Sequence, residues 1–221
     1  MRVPLPALLR TAPRARLQTR AEEMANAASH ALACALPLMA WPALAAAAPR
    51  HNGALGVAAV AVFCITMVLV FLASAVYHAL PHGRAKRWFN RLDHAAIFLF
   101  IAGSFTPFAL KNFDATTGQL AFAGVWLLAL AGIGAKARGR LACPLRSTAL
   151  YVALGWVATA AAWPVLDLLT LQQLLLIGAG GAAYMVGAVF FLIDHRLRYS
   201  HFIWHLFVLA GSGCHFTAAL A

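Results

Sequence analysis

The chain has 221 residues, of which 63% are apolar and only 10% are charged. Soluble domains have roughly 45–50% apolar and about 25% charged residues, so this composition excludes a disordered protein and disfavours a water-soluble globular one. Lys and Arg outnumber Asp and Glu by 17 to 6, and the formal net charge is +11. The composition predicts a protein whose solvent is mostly lipid.

Apolar segments of about 20 residues, the length that a membrane-spanning helix needs, occur seven times. They are too long and too uniformly apolar for the strands of a membrane barrel, which alternate over about ten residues. We therefore predict an all-α integral membrane protein with seven transmembrane helices. The predicted spans are 28–48, 54–80, 94–110, 119–135, 147–163, 172–193 and 200–220.

The ends and linkers of these spans divide the chain into two parts. Residues 1–25 hold five arginines and are predicted to form a basic cytosolic arm, and residues 26–221 form the transmembrane domain. The linker 81–92 mixes four basic residues with Trp88 and Phe89, which is typical of a segment at the level of the lipid headgroups. Membrane lipids, and anionic headgroups at the cytoplasmic face, are the expected partners, and no nucleic-acid partner is expected.

The distribution of basic residues predicts the orientation of the chain. Lys and Arg collect in short cytoplasmic loops of membrane proteins. Fifteen of the 17 basic residues fall in the amino-terminal arm and in every second loop, and the other side has only Arg50 and Lys111. The amino terminus is therefore predicted to be cytoplasmic and the carboxyl terminus to be outside.

Ionisable side chains are rare within the predicted spans, and such side chains are costly in lipid. They occur in pairs with helical spacing, so that the members of each pair share a face. The predicted topology places all of them near the cytoplasmic ends of their helices. The set comprises Glu23 and His30, then His78, then Asp93, and last His201 and His205, and the polar residues Asn26 and Ser74 lie on the same helix faces.

Three imidazoles and a carboxylate at one membrane depth are typical of a transition-metal site. Zinc takes neutral imidazole ligands, and an HxxxH pair on one helix supplies two of them. We predict that His78, His201 and His205 bind Zn²⁺, with Asp93 as the general base that accepts a proton from water. Glu23, Asn26, His30 and Ser74 would surround the site and orient ligands or water. His82 is an alternative ligand, although Pro81 and a polar loop intervene.

The same residues resemble the motifs of the hemolysin III family, the bacterial branch of the progestin and adipoQ receptor superfamily. The resemblance begins after residue 22 and covers nearly the whole of the remaining chain. It lies in E-x-x-N-x-x-x-H at 23–30, S-A-V-Y-H at 74–78, D-H-A-A-I at 93–97, I-A-G-S-F-T-P-F at 101–108 and H-F-I-W-H at 201–205, with 211–216.

The resemblance implies seven membrane helices with the amino terminus inside, and a zinc site at His78, His201 and His205 with Asp93 nearby. Animal relatives are associated with hydrolysis of lipid amides such as ceramide. For a bacterial relative, the resemblance implies a multi-pass protein of the inner (plasma) membrane.

Three functions remain open from the sequence. The first is a zinc-dependent hydrolase of a membrane lipid amide or ester. The second is a non-catalytic regulator or sensor of membrane state, in which zinc is structural. The third is a pore-forming cytolysin, which ranks last because no helix has the polar stripe that lines a pore. The first two differ in whether water or protein fills the fourth position on zinc.

Overall fold

The computed structural model describes residues 16–47 and 53–221, without the side chains of Ala40 and of residues 43–47. Most of the predicted basic arm, together with Arg50 and His51, lies outside the described residues. In the part that is described, all regular structure is helical. Eight α-helices follow one another: α1 Arg20–Ala33, α2 Ala35–Ala47, α3 Gly53–Ala79, α4 Arg84–Ala109, α5 Thr116–Ala137, α6 Pro144–Ala161, α7 Leu171–Leu192 and α8 Ser200–Leu220.

Five of the described helices are long and apolar enough to cross a membrane: α3, α4, α5, α7 and α8. The first predicted span is divided between α1 and α2, which have 14 and 13 residues. The predicted span at 147–163 corresponds to α6, which has 18 residues and includes Arg146 in its first turn. The prediction of a multi-pass helical protein is confirmed, whereas the count of seven spans stays a prediction.

Two helix boundaries differ from the prediction for local reasons. α1 ends at Ala33 because Pro37 has no N–H and its ring would clash with the carbonyl of Ala33, four residues earlier. α4 begins at Arg84, ten residues before the predicted span, because no helix-breaking residue occurs between Gly83 and Asp93. The linker predicted at the headgroup level is thus mostly the first turns of α4.

The helices pack so that α1 is held between α3 and α8. α3 also packs on α4, α4 packs on α5 and α6, and α7 packs on α8. One core group, with Phe63, Met67, Phe71 and Phe100, lies beside α1. A second group connects α4, α5 and α6 through residues such as Phe98, Val125 and Leu154.

Close approach of α3 and α4 depends on Gly103. A Cβ at this position would overlap the Thr66 side chain on α3. The absence of a side chain therefore lets the two longest helices pack closely, as small residues do in membrane bundles. This contact sets the position of α4, and hence of Asp93, relative to α3.

Candidate metal centre

Three buried histidines meet where α1, α3 and α8 pack together. His78 lies near the carboxyl end of α3, and His201 and His205 lie in the first two turns of α8. Their exposed fractions are 3%, 8% and 0%. One ring nitrogen from each residue lies within 4.8 Å of those of the other two, so the group could hold a metal ion.

Each of these histidines is held at Nδ1 by an oxygen atom. Glu23 Oε2 lies 2.7 Å from His78 Nδ1, and Asp194 Oδ2 lies 3.0 Å from His201 Nδ1. Ser29 Oγ lies 3.1 Å from His205 Nδ1. The three rings are therefore oriented by three different parts of the chain.

These contacts determine which nitrogen of each ring carries the proton. A carboxylate only accepts hydrogen bonds, so His78 and His201 donate from Nδ1 to Glu23 and Asp194. Ser29 uses its own proton to donate to the Asn26 carbonyl at 2.8 Å, so His205 Nδ1 donates to Ser29. In all three neutral rings the lone pair is then on Nε2.

The three Nε2 atoms have the environment of metal ligands. Each is buried and has no hydrogen-bond partner among the described residues. Buried polar atoms normally have partners, and an unpartnered lone pair is costly. Imidazole Nε2 ligands with Nδ1–H bonded to a carboxylate are the usual arrangement at zinc. The donor set therefore fits a zinc ion.

Helix α1 supplies two of the three oxygen partners. Glu23 and Ser29 lie six residues apart on α1, with Glu23 toward α3 and Ser29 toward α8. The helix begins with a capping box, in which Thr19 and Glu22 bond each other's backbone N–H groups. This cap fixes the start of α1 and hence the register in which Glu23 and Ser29 meet the histidines.

Glu22 connects the start of α1 to the loop that carries Asp194. Its carboxylate, 2% exposed, accepts two hydrogen bonds from Arg16 and one from the Tyr199 backbone N–H at 2.8 Å. Arg16 also donates to the Leu197 carbonyl. The hydrogen bonds from Arg16 hold the pKa of Glu22 well below its ordinary value. Tyr199 has a left-handed backbone (φ 59°), which the contact with Glu22 helps to hold.

The positive charge of Lys86 stabilises the carboxylate of Glu23. Lys86 Nζ lies 3.0 Å from Glu23 Oε1 and also donates to the carbonyls of Tyr77 and Leu80. Burial raises the pKa of Glu23, but the hydrogen bonds from His78 and Lys86 lower it by more, so that the net pKa lies below its ordinary value. Glu23 is therefore ionised and able to accept from His78.

Asp93 and Ser74 lie on the side of the site that α4 forms. Asp93 is 4% exposed, and Ser74, 1% exposed, lies next to its carboxylate. Ser74 is one turn before His78 on α3, so both face the same side of that helix. The structure thus places Asp93 beside the α3 face that carries His78.

His30 and Asn26, two of the residues predicted to surround the site, differ in their contacts with it. The His30 ring is parallel to that of His205, with centroids 3.6 Å apart and an interplanar angle of 6°. The Asn26 side chain donates to Gln18 at 2.7 Å, and its backbone carbonyl, which accepts from Ser29, also lies beside His205. The alternative ligand His82 is exposed in the turn between α3 and α4 and is outside the group of three.

Sequence reasoning missed Ser29 and Asp194. The sequence did not single out Ser29, because serine is common in membrane helices. Its position next to His30 was the one signal that could have identified it. Asp194 lies seven residues before His201 in a loop of turns, where no helical periodicity relates the two. Only the path of that loop brings the carboxylate to the imidazole.

An apolar cavity of about 540 Å³ reaches His30, whose ring is stacked on that of His205. It extends between α4, α6, α7 and α8, and its walls include Ile97, Phe100, Val152 and Met185. His30 and Asp93 both line it. Ligand pockets have volumes of roughly 300–1,000 Å³, with mostly apolar walls and a few polar groups. The cavity therefore has the size and character of a site for an apolar molecule.

Comparison with known proteins agrees with these motifs. Residues 18–216 match the family described as Haemolysin-III related. The chain is 38% identical to Hemolysin-3 of Bacillus cereus over 199 residues, 90% of both chains. It is 34% identical to the Hemolysin-3 homolog of Bacillus subtilis (strain 168), over 90% of this chain and 93% of the relative.

A more distant similarity reaches animal proteins. The chain is 24% identical to the human monocyte to macrophage differentiation factor over 163 residues, which are 71% of this chain and 67% of the relative. No solved structure matches the chain. Residues 18–216, which match the family, include all three histidines and their oxygen partners, and this match confirms the resemblance found in the sequence. The chain is a multi-pass membrane protein and belongs to the haemolysin III family.

Proposed function

We propose that the protein is a zinc-dependent hydrolase that cleaves an amide or ester bond of a membrane lipid. The observation that carries this proposal is an apolar cavity lined by Asp93 and by His30, whose ring is stacked on His205, one of the three histidines with unpartnered Nε2 atoms. A metal site beside such a cavity can act on a carbonyl group while the apolar chain of the same molecule lies among apolar side chains.

The proposed ligands are His78, His201 and His205, with Glu23, Ser29 and Asp194 holding their rings. When bound, zinc would supply a Lewis acid that polarises the carbonyl oxygen. Asp93 accepts a proton from the attacking water as the oxygen of that water forms a bond to the carbonyl carbon. It then gives the proton to the leaving nitrogen or oxygen as the bond to the carbonyl carbon breaks, and a fatty acid and an amine or alcohol result.

The proposed setting is the bacterial inner membrane, with seven spans, a cytoplasmic amino terminus and an external carboxyl terminus. Residues 28–33 of α1, together with α2, would form the first span, and α6 would form the fifth. Arg84, Arg87 and Arg91 are exposed and lie on one face in the first turns of α4, beside the exposed Trp88. This face suits anionic headgroups at the cytoplasmic surface. The metal centre would then lie near the same surface.

A second function has its own support in the packing. The three proposed ligands come from α3 and α8 only, and α1 lies between these helices. A metal ion here would cross-link two helices that are far apart in sequence. Zinc would then be structural, and the protein would be a regulator or sensor of membrane state.

The variant Asp93→Asn distinguishes the two functions. If Asp93 is the general base, the variant keeps zinc but its lipid turnover falls by about 10²–10⁴-fold, since an amide cannot accept the proton. Asp114→Asn, an exposed carboxylate after the other end of α4, is the matched control and should keep full turnover. Zinc content, thermal stability and fatty-acid release are measured in liposomes.

Full turnover by Asp93→Asn would contradict the role of Asp93 as the general base. No release of fatty acid from ceramide, other amides or esters by folded, zinc-loaded parent protein would contradict the hydrolase and favour the regulator.

A further inference from the structure

The polar side chains that line the apolar cavity differ in whether they are already hydrogen-bonded. Most of their polar atoms are bonded to other groups of the protein. The hydroxyl groups of Ser104, Thr148 and Thr159 donate to carbonyls of their own helices, Tyr151 donates to the His94 carbonyl, Tyr184 bonds Ser212, and His215 Nε2 bonds the Ile177 carbonyl. These groups have no O–H or N–H left to donate to a ligand.

Among the hydroxyl and imidazole groups that line the cavity, His30 is the exception. Its side chain lines the cavity and is 3% exposed, and neither Nδ1 nor Nε2 has a hydrogen-bond partner among the described residues. A neutral imidazole has one N–H donor and one acceptor. Leaving both unpaired in an apolar place is costly, and the cost of the unpaired N–H is removed when a ligand accepts a hydrogen bond from it.

The position of His30 relates it to the metal centre without making it a ligand. Its ring is stacked on His205 with 3.6 Å between centroids, and Phe71 packs against it at 5.1 Å. The group of three metal-binding histidines does not include it. The His30 ring therefore lies one stacking distance from His205, and it also forms part of the cavity wall.

We propose that His30 is the polar anchor of the cavity and donates its ring N–H to the carbonyl oxygen of a long-chain lipid whose apolar chain fills the cavity. The inference rests on the proposed function for the nature of the ligand. It assigns to His30 the selection of a carbonyl-bearing chain over a plain hydrocarbon. Asp93, the other polar group at this end, is an acceptor when ionised and cannot perform this role.

The test compares two probes of equal length that the protein cannot hydrolyse: hexadecyl methyl ketone and octadecane. Equilibrium binding of each radiolabelled probe is measured with the full-length, zinc-loaded chain in detergent. His30→Phe keeps an aromatic ring against His205 but has no donor, and His30→Gln keeps an N–H donor. Ser104→Ala is the matched control, because its hydroxyl lines the cavity but is bonded to Ile101.

We expect His30→Phe to bind the ketone roughly 3- to 10-fold more weakly than the parent, as loss of one hydrogen bond predicts. Octadecane binding and zinc content should not change, His30→Gln should recover most of the ketone affinity, and Ser104→Ala should resemble the parent. Equal ketone binding by His30→Phe and the parent would overturn the proposal. So would a loss of octadecane binding or of zinc in His30→Phe, because His30 would then shape the cavity or the metal centre.

The outcome is independent of whether the protein is an enzyme. If the parent hydrolyses no lipid but prefers the ketone through His30, the proposed hydrolase fails and the anchor stands. If the parent hydrolyses lipid and the ketone preference survives in His30→Phe, only the anchor fails.

Discussion

Glu23 Oε2 lies 2.7 Å from His78 Nδ1, and this contact joins α1 to α3 at the metal centre. Because the carboxylate accepts a hydrogen bond from the Nδ1–H group, the lone pair of His78 is on Nε2. In the other two histidines as well, Nδ1 is bonded to an oxygen atom, and Nε2 has no partner among the described residues. The site is thus built by pairs of residues rather than by three histidines alone.

Removal of a single ligand should release the metal. We expect His78→Ala, His201→Ala and His205→Ala each to lose most bound zinc, because two remaining imidazoles compete poorly with water. His215→Ala is the control, since His215 lies in the last two turns of α8 and bonds the Ile177 carbonyl. Elemental analysis of the purified proteins measures the zinc content. Equal zinc in all four variants would exclude this site.

Loss of the charge on Glu23 should weaken zinc binding without removing a ligand. Glu23→Gln can still accept from His78 but has no negative charge to raise the basicity of the ring and no ion pair with Lys86. Partners of this kind typically contribute 10- to 100-fold in metal affinity. Competition with a chelator measures the affinity, and Asp167→Asn, an exposed carboxylate, is the control. An unchanged affinity in Glu23→Gln would mean that the contact does not orient the ligand.

The grouping of the three histidines was largely predictable, as was the place of Glu23 beside them, whereas Ser29 and Asp194 were not. Helical spacing placed His201 with His205 and Ser74 with His78 on shared faces, and the count of basic loop residues put these faces at one depth. Asp194 could not be related to His201 in this way, because the loop between α7 and α8 has no period. Ser29 could not be chosen over its neighbours because its role depends on the packing of α1 against α8.

The fold was predictable to a similar degree. The lengths of the apolar segments predicted helices, and the predicted span 200–220 coincides with α8. Length could not show that α4 extends back to Arg84, since charged turns of a helix can lie beyond the apolar layer. Nor could it show the break at Cys34, which depends on the geometry of Pro37.

Acid should weaken the attachment of α1 to the loop before α8. Arg16 holds the pKa of Glu22 below its ordinary value of 4.5, so the stabilisation is fully present above that pH and is lost as the pH falls toward the lowered pKa. We expect the melting temperature of metal-free parent protein to fall more steeply below about pH 4.5 than that of Glu22→Gln. Thermal unfolding in detergent between pH 7 and pH 4 measures this. Parallel curves for the two proteins would show that Glu22 does not contribute.

The orientation can be tested at the carboxyl terminus. A reporter enzyme that is active only outside the cytoplasm should be active when it is fused after Ala221. The same reporter inserted at Gly139, in the basic loop between α5 and α6, should be inactive, because that loop is predicted to be cytoplasmic. The reverse pattern would contradict the predicted topology.

The most direct test of the metal centre is a crystal structure of the protein purified with zinc, with diffraction data collected above and below the zinc absorption edge. The account predicts one strong anomalous peak about 2.0–2.1 Å from Nε2 of each of His78, His201 and His205. An anomalous map with no peak among these three atoms, or with its main peak at other residues, would contradict it.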